Sequence, residues 1–139
     1  MKFRYQKFII GGHDPHKPLI ARPYIPVSLL GKNRKTRSPY YALLDSGADR
    51  IIFPADLAVE IGINDITTGN LEPTVGIANQ KADVFYHHLA LQVMGDQRIL
   101  PSEVGFSKEI YLPILGRSFF AHFKAVIFTE AKEEVELKN

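Results

Sequence analysis

Apolar positions along this chain come in short runs, and turn residues separate them: Gly11-Gly12, Gly31-Lys32-Asn33, Ser38-Pro39, Gly69-Asn70, Gly95-Asp96 and Pro101. Short runs with such punctuation predict strands, here Phe3 to Ile10, Ile20 to Leu30, Tyr40 to Leu44, Thr74 to Ile77, Ala82 to Met94, Ile99 to Gly105, Pro113 to Leu115 and Lys124 to Thr129. In the longest of these the apolar phase runs through Val84 and Tyr86 and then changes to Leu89, Leu91 and Val93. A regular strand alternates faces strictly, so the change predicts a bulge or bend near His87-His88. One helix signal interrupts the strands: Pro54 suits a first turn, Leu57 and Ile61 are four apart, and Gly62 follows. A second short helix is expected from Arg117 to about His122. The expectation is an all-β chain with one or two short helices.

Length adds that 139 residues suit a single domain, 1–139. Its core is expected at about 20–128, with 1–19 as an N-terminal extension and 130–139 as a charged C-terminal tail that frays. The absence of cysteine excludes disulfides, thiolate metal sites and thiol nucleophiles, so chemistry must come from oxygen or nitrogen groups. The apolar run Phe8-Ile9-Ile10 is far shorter than a signal-peptide core, and no run approaches the roughly 18 residues of a membrane span. A cytoplasmic protein without a membrane partner is expected. Residues 1–50 hold ten Lys/Arg against three acids, while the remainder holds seven against twelve. That asymmetry is read as a nucleic-acid surface, as two chain ends lying against each other, or as scattered solvated charge.

The segment Tyr41-Ala42-Leu43-Leu44-Asp45-Ser46-Gly47-Ala48-Asp49 sets a carboxylate directly after an apolar strand, then a hydroxyl and a glycine. Folding retains an Asp there only if neighbours hydrogen-bond it or it shares a proton. By itself the triplet also fits a turn-capping aspartate. With Ile51-Ile52-Phe53-Pro54 leading into a helix, and with Leu112-Pro113-Ile114-Leu115-Gly116-Arg117 downstream, the sequence resembles the retropepsin-like aspartic proteases from about Ile20 to Phe128. The resemblance implies a retropepsin-like acid protease lobe that forms a homodimer with its active site on the two-fold axis. Asp45 would be the catalytic aspartate of an endopeptidase, and Ser46, Gly47, Ala48, Asp49 and Arg117 would support its loop. Arg50, Val75, Gly76, Ile77 and Ile114 would line the substrate cleft. The flap expected at Leu71 to Lys81 departs from the family in having one glycine and a proline.

Further expectations accompany this reading. Asp49 and Arg117 are expected to form a buried or half-buried ion pair, and the terminal strands, residues 1–10 and Lys124 to Thr129, to build the dimer sheet. Arg50 is expected to offer a cation that favours acidic or polar substrate side chains. No cofactor or metal is expected, because adjacent strand residues such as His87 and His88 point to opposite faces. The basic run Lys32 to Arg37 lacks an interleaved aromatic and reads as a solvated loop, so no nucleic-acid partner is expected. The partner would be a second copy of the chain and the ligand a peptide. The alternative is a non-catalytic dimeric peptide-binding module with the same fold.

Overall fold

The computed structural model describes residues 1–9 and 12–139. Its strands are β1 (Lys2–Arg4), β2 (Tyr24–Leu30), β3 (Tyr40–Leu44), β4 (Ile51–Pro54), β5 (Asn70–Val75), β6 (Lys81–Val93), β7 (Leu100–Ser107), β8 (Ile114–Leu115), β9 (Ala125–Thr129) and β10 (Glu134–Lys138). One helical turn, α1 (Arg117–Phe120), follows β8, and a 3₁₀ helix, Ala55–Ile61, follows β4. The architecture is all-β with short helical pieces. Pro54 stands just before the 3₁₀ helix, which ends where Gly62 turns left-handed at φ 90°.

Seven strands form one sheet in the order β2-β3-β8-β4-β7-β6-β5, and an added pairing of β2 with β6 closes six of them into a ring. Closure removes the exposed edges that an open sheet would present. Inside lie Ile25, Val27, Leu29, Phe53, Leu91, Val104, Phe106 and Leu115, each almost or wholly inaccessible. Strand β5 hangs outside the ring as one arm of a hairpin and, among the described residues, pairs with β6 alone. A separate three-stranded sheet has the order β1-β10-β9.

The expected interruption near His87-His88 is not a bulge. Strand β6 pairs with β7 in unbroken register from Phe85↔Phe106 to Leu91↔Leu100. The apolar phase changes because the two halves of one strand bury opposite faces. Val84 and Tyr86 pack with Ile52 in a small cluster, whereas Leu91 and Val93 enter the main core. The expected strand Phe3 to Ile10 is shorter, with Ile10 outside the described residues. The expected fraying tail is instead β10, the middle strand of its sheet, with Val135 and Leu137 buried. Lys2 lies 3.6 Å from Glu134, so the basic start and acidic end of the chain meet within one molecule. No helix among the described residues is long and apolar enough to cross a membrane.

Two tyrosines tie distant segments through carboxylates. Tyr5 donates to Glu130 at 2.9 Å and Tyr40 donates to Glu60. Burial, reinforced by Glu130, pushes the Tyr5 phenol up to about 12, and the Glu60 hydrogen bond, reinforced by burial, does the same for Tyr40. A phenol whose pKa is raised on folding keeps its proton after the unfolded chain has lost it. Its stabilisation is complete below about pH 10 and is lost as pH rises toward 12. The melting temperature should therefore fall steeply across that window. The fall should be shallower in Tyr5→Phe and Tyr40→Phe, and identical alkaline profiles for parent and variants would contradict the assignment.

Candidate active site

Strands β3 and β4 are consecutive, yet they do not pair. Strand β8 lies between them, parallel to β3 through Leu43↔Ile114 and Leu44↔Leu115 and antiparallel to β4 through Ile51↔Leu115. The loop that joins β3 to β4, residues 45–50, therefore has to pass over the end of β8. Four backbone hydrogen bonds fasten it there: Asp45 N–H to Leu115 O at 3.0 Å, Gly116 N–H to Arg50 O at 3.1 Å, Arg117 N–H to Ala48 O at 2.8 Å and Ser118 N–H to Asp49 O at 2.9 Å. Gly116 is required by this crossing. A Cβ built on it would stand 2.4 Å from Arg50 O and 2.5 Å from Ala48 O.

Asp45 begins this loop, half-buried, and its Oδ1 accepts the Gly47 N–H at 2.9 Å. Ala48 N–H returns to Asp45 O at 3.2 Å and completes a tight turn. A carboxylate held by one local N–H keeps its other lone pairs for a water or a second carboxyl. Ser46 and Gly47 are exposed, and Ile114 is half-buried on β8.

Asp49 and Arg117 approach within 3.9 Å, but their side chains are 81% and 69% exposed. The expected buried pair is thus a solvated one in the single chain, and such pairs contribute about 0–1 kcal/mol. Arg117→Ala should leave the urea midpoint of the monomeric chain nearly unchanged. A loss near 3 kcal/mol, the size expected of a stranded buried partner, would mean that the pair is not solvated.

Arg50 is engaged within the chain. Its Nη2 lies 3.1 Å from Glu103 and 3.2 Å from Glu72, and its Cζ lies 4.3 Å from the Tyr86 ring centroid. Two carboxylates surround the one guanidinium, so the cation is already paired and the corner carries excess negative charge. The same contact joins the end of the Asp45 loop to β5, the outer arm of the hairpin. That hairpin runs from Asn70↔Tyr86 to Val75↔Lys81 and closes with Gly76 N–H on Gln80 O at 2.7 Å. Its tip covers the expected Val75, Gly76 and Ile77, of which Val75 is exposed and the Ile77 side chain lies outside the described residues. Where a glycine-rich tip would turn, Ala78 and Asn79 adopt φ 61° and 57°, a region that costs a residue with a Cβ about 1–2 kcal/mol.

One pair that the sequence did not bring forward resembles a nucleophile and its base: Ser102 Oγ and His122 Nε2 are 3.1 Å apart. The serine proton, however, is directed at Leu100 O, 3.0 Å away. With the serine proton on Leu100 O, a His122 tautomer protonated at Nε2 completes the contact, and burial lowers the His122 pKa. The pair is structural. Among the described residues no group of three or more His, Cys, Asp or Glu could hold a metal ion.

No protein-family model matches the sequence, and no curated protein matches it. Solved structures do. A retropepsin-like aspartic protease from Rickettsia conorii is 19% identical over 82% of this chain and 88% of its own, with a TM-score of 0.60. The EIAV protease, solved with the inhibitor HBY-793, is 18% identical over 84% of this chain and 98% of its own, at 0.58. The retroviral protease-like domain of Ddi1 from Leishmania major is 14% identical over 86% and 90%, at 0.56.

Proposed function

We propose that this chain, which has the retropepsin-like fold, is one subunit of a homodimeric aspartic endopeptidase whose two Asp45 carboxyls meet at the two-fold axis. The observation that carries the reading is the Asp45 loop itself, strapped over β8 by four backbone bonds with its carboxylate at the exposed lip. Each chain supplies one such loop, because Asp45-Ser46-Gly47 is the sequence's single Asp-Ser/Thr-Gly triplet.

Two carboxyls a few ångströms apart do not both ionise, so the pair holds one proton and one water. The ionised member takes a proton from the water as its oxygen attacks the peptide carbonyl carbon, and the protonated member gives its proton to the carbonyl oxygen. When the resulting diol collapses, the C–N bond breaks, one carboxyl gives its proton to the nitrogen while the other, ionised, takes a proton from a diol hydroxyl, and a carboxylic acid and an amine leave with the shared proton restored. The backbone bonds fix Asp45 without reorganisation during these steps. The hairpin β5–β6, tethered to the same loop through Arg50 and Glu72, serves as the cover that excludes water.

The test is cleavage of a peptide library by purified chain with Asp45→Asn as control. Cleavage by the parent alone supports the proposal. Cleavage by both overturns it, and peptide binding without cleavage by either supports the binding-module alternative.

A further inference from the structure

The acidic end of the chain neutralises little of the basic first half. Among the described residues, Lys2 and Arg50 are the only Lys/Arg of residues 1–50 with a carboxylate oxygen within 4.0 Å. Two of those left without one, Lys17 and Arg22, line a cavity of about 290 Å³ together with His13. That size stands near the lower end of small-molecule sites, about 300–1,000 Å³. Phe8, Leu19 and Ile20 supply an apolar wall, with Phe8 41% and Ile20 70% exposed. The walls are anchored to the fold. Gln6 and Arg22 exchange backbone hydrogen bonds at 2.8 and 2.9 Å, and the Phe8 ring packs on Tyr24 and Tyr41 at 5.1 and 5.2 Å between centroids. Asp14, the one acid before Asp45, does not line the cavity. Its Oδ1 accepts the His16 N–H at 2.9 Å and its carbonyl oxygen accepts the Lys17 N–H at 3.0 Å, a turn that leads Lys17 back to the wall.

We infer that this cavity binds a phosphate monoester carried on an apolar body. Such a phosphate bears a charge of about −1.5 to −2 at neutral pH, which the Lys17 ammonium and the Arg22 guanidinium balance. A single carboxylate would leave one of the two cations without a counter-charge. The planar fork of Arg22 fits two phosphate oxygens, Lys17 adds a point charge, and a His13 ring N–H is a third donor. The apolar wall selects what carries the phosphate, because a ring or alkyl group laid on Phe8, Leu19 and Ile20 leaves water while the phosphate stays on the cations. A nucleic-acid strand fits less well, since it calls for several stacking rings in a row and Phe8 is the one aromatic of the cavity. None of these residues belongs to the Asp45 loop or to the β5–β6 hairpin, so the inference stands apart from the catalytic reading.

Phenyl phosphate is the probe, titrated into the full chain by calorimetry at low salt. Binding should saturate at one site per chain and be about tenfold tighter than that of inorganic phosphate, which leaves the apolar wall wet. Lys17→Gln and Arg22→Gln should each weaken it by about tenfold without moving the melting temperature, since both side chains lie at the surface of the cavity. The double change Lys32→Gln with Arg34→Gln, in the basic run outside the cavity, should leave it unaltered. Vesicles of phosphatidylcholine with and without phosphatidic acid separate the two sources of such a group. Retention by the phosphatidic acid vesicles alone, lost in both cavity variants, assigns the phosphate to a lipid headgroup. Saturable binding of phenyl phosphate without retention assigns it to a soluble ester. Three results overturn the inference: no saturable binding of either form, equal affinity for inorganic phosphate, or as large a loss from Lys32→Gln with Arg34→Gln as from the cavity variants, which would reduce the effect to general charge.

Discussion

An equal mixture of parent and Asp45→Asn chains should show about one quarter of the activity of the same total parent chain, and not one half. Random pairing makes only about a quarter of the dimers wholly parental, and a dimer with one amide has lost the group that exchanges protons with the water. Amides do not take over that role, so pure Asp45→Asn should lose about 10³-fold or more. Dilution supplies a second reading of the same fact. Below the dimer dissociation constant the specific activity of the parent should fall in proportion to the dimer fraction. Mixing by unfolding and refolding together, with rates measured at fixed total concentration, checks the first. A residual activity of one half after complete exchange, or specific activity independent of concentration in a monomeric sample, would show that a single Asp45 suffices.

Gly116→Ala should be a strongly damaging small substitution. The added carbon meets two backbone carbonyls, Arg50 O at 2.4 Å and Ala48 O at 2.5 Å, and neither can rotate away as a side chain would. Relief requires the loop to rise from β8, which breaks the bonds from Gly116 N–H to Arg50 O and from Arg117 N–H to Ala48 O. Overpacking of about 1–3 kcal/mol with two lost hydrogen bonds of about 1 kcal/mol each gives about 3–5 kcal/mol, a large share of a typical folding stability of about 5–15 kcal/mol. Gly76→Ala is the control, since the nearest atom to its added carbon is 3.8 Å away and its φ is −94°. Urea unfolding should separate the two variants by several kcal/mol, and equal midpoints would refute the crossing as described.

Much of this architecture is legible in the residues, in places that physical reasoning can identify. Tyr40–Leu44 is apolar and ends at a turn, and β3 has those bounds. Asp45 stands out because a carboxylate after a buried strand needs hydrogen-bonding neighbours, and Gly116 through its place after Ile114-Leu115 in the family-like segment. Strand β10 was missed because its Glu-Val-Glu-Leu-Lys alternation carries only two apolar residues, Val135 and Leu137, although alternation with period two was the signal. Most of β5, residues 70–73, was missed for a related reason: Glu72 and Pro73 are exposed on an arm that, among the described residues, pairs with β6 alone. The pairing of Arg50 with Glu72 and Glu103 was not legible, since the partners lie 22 and 53 positions away and no local pattern brings them together.

The passage of the Asp45 loop over β8 also sets an order of events during synthesis. Asp45 emerges from the ribosome about 70 residues before Leu115, the residue whose carbonyl holds it. Until residues 114–118 have followed, β3 and β4 have no strand between them, and the loop lacks all four of its fastenings. Contacts of such long sequence separation form slowly because the loop between them must be closed first. A nascent chain on this fold thus has its carboxylate early and the geometry that holds it late.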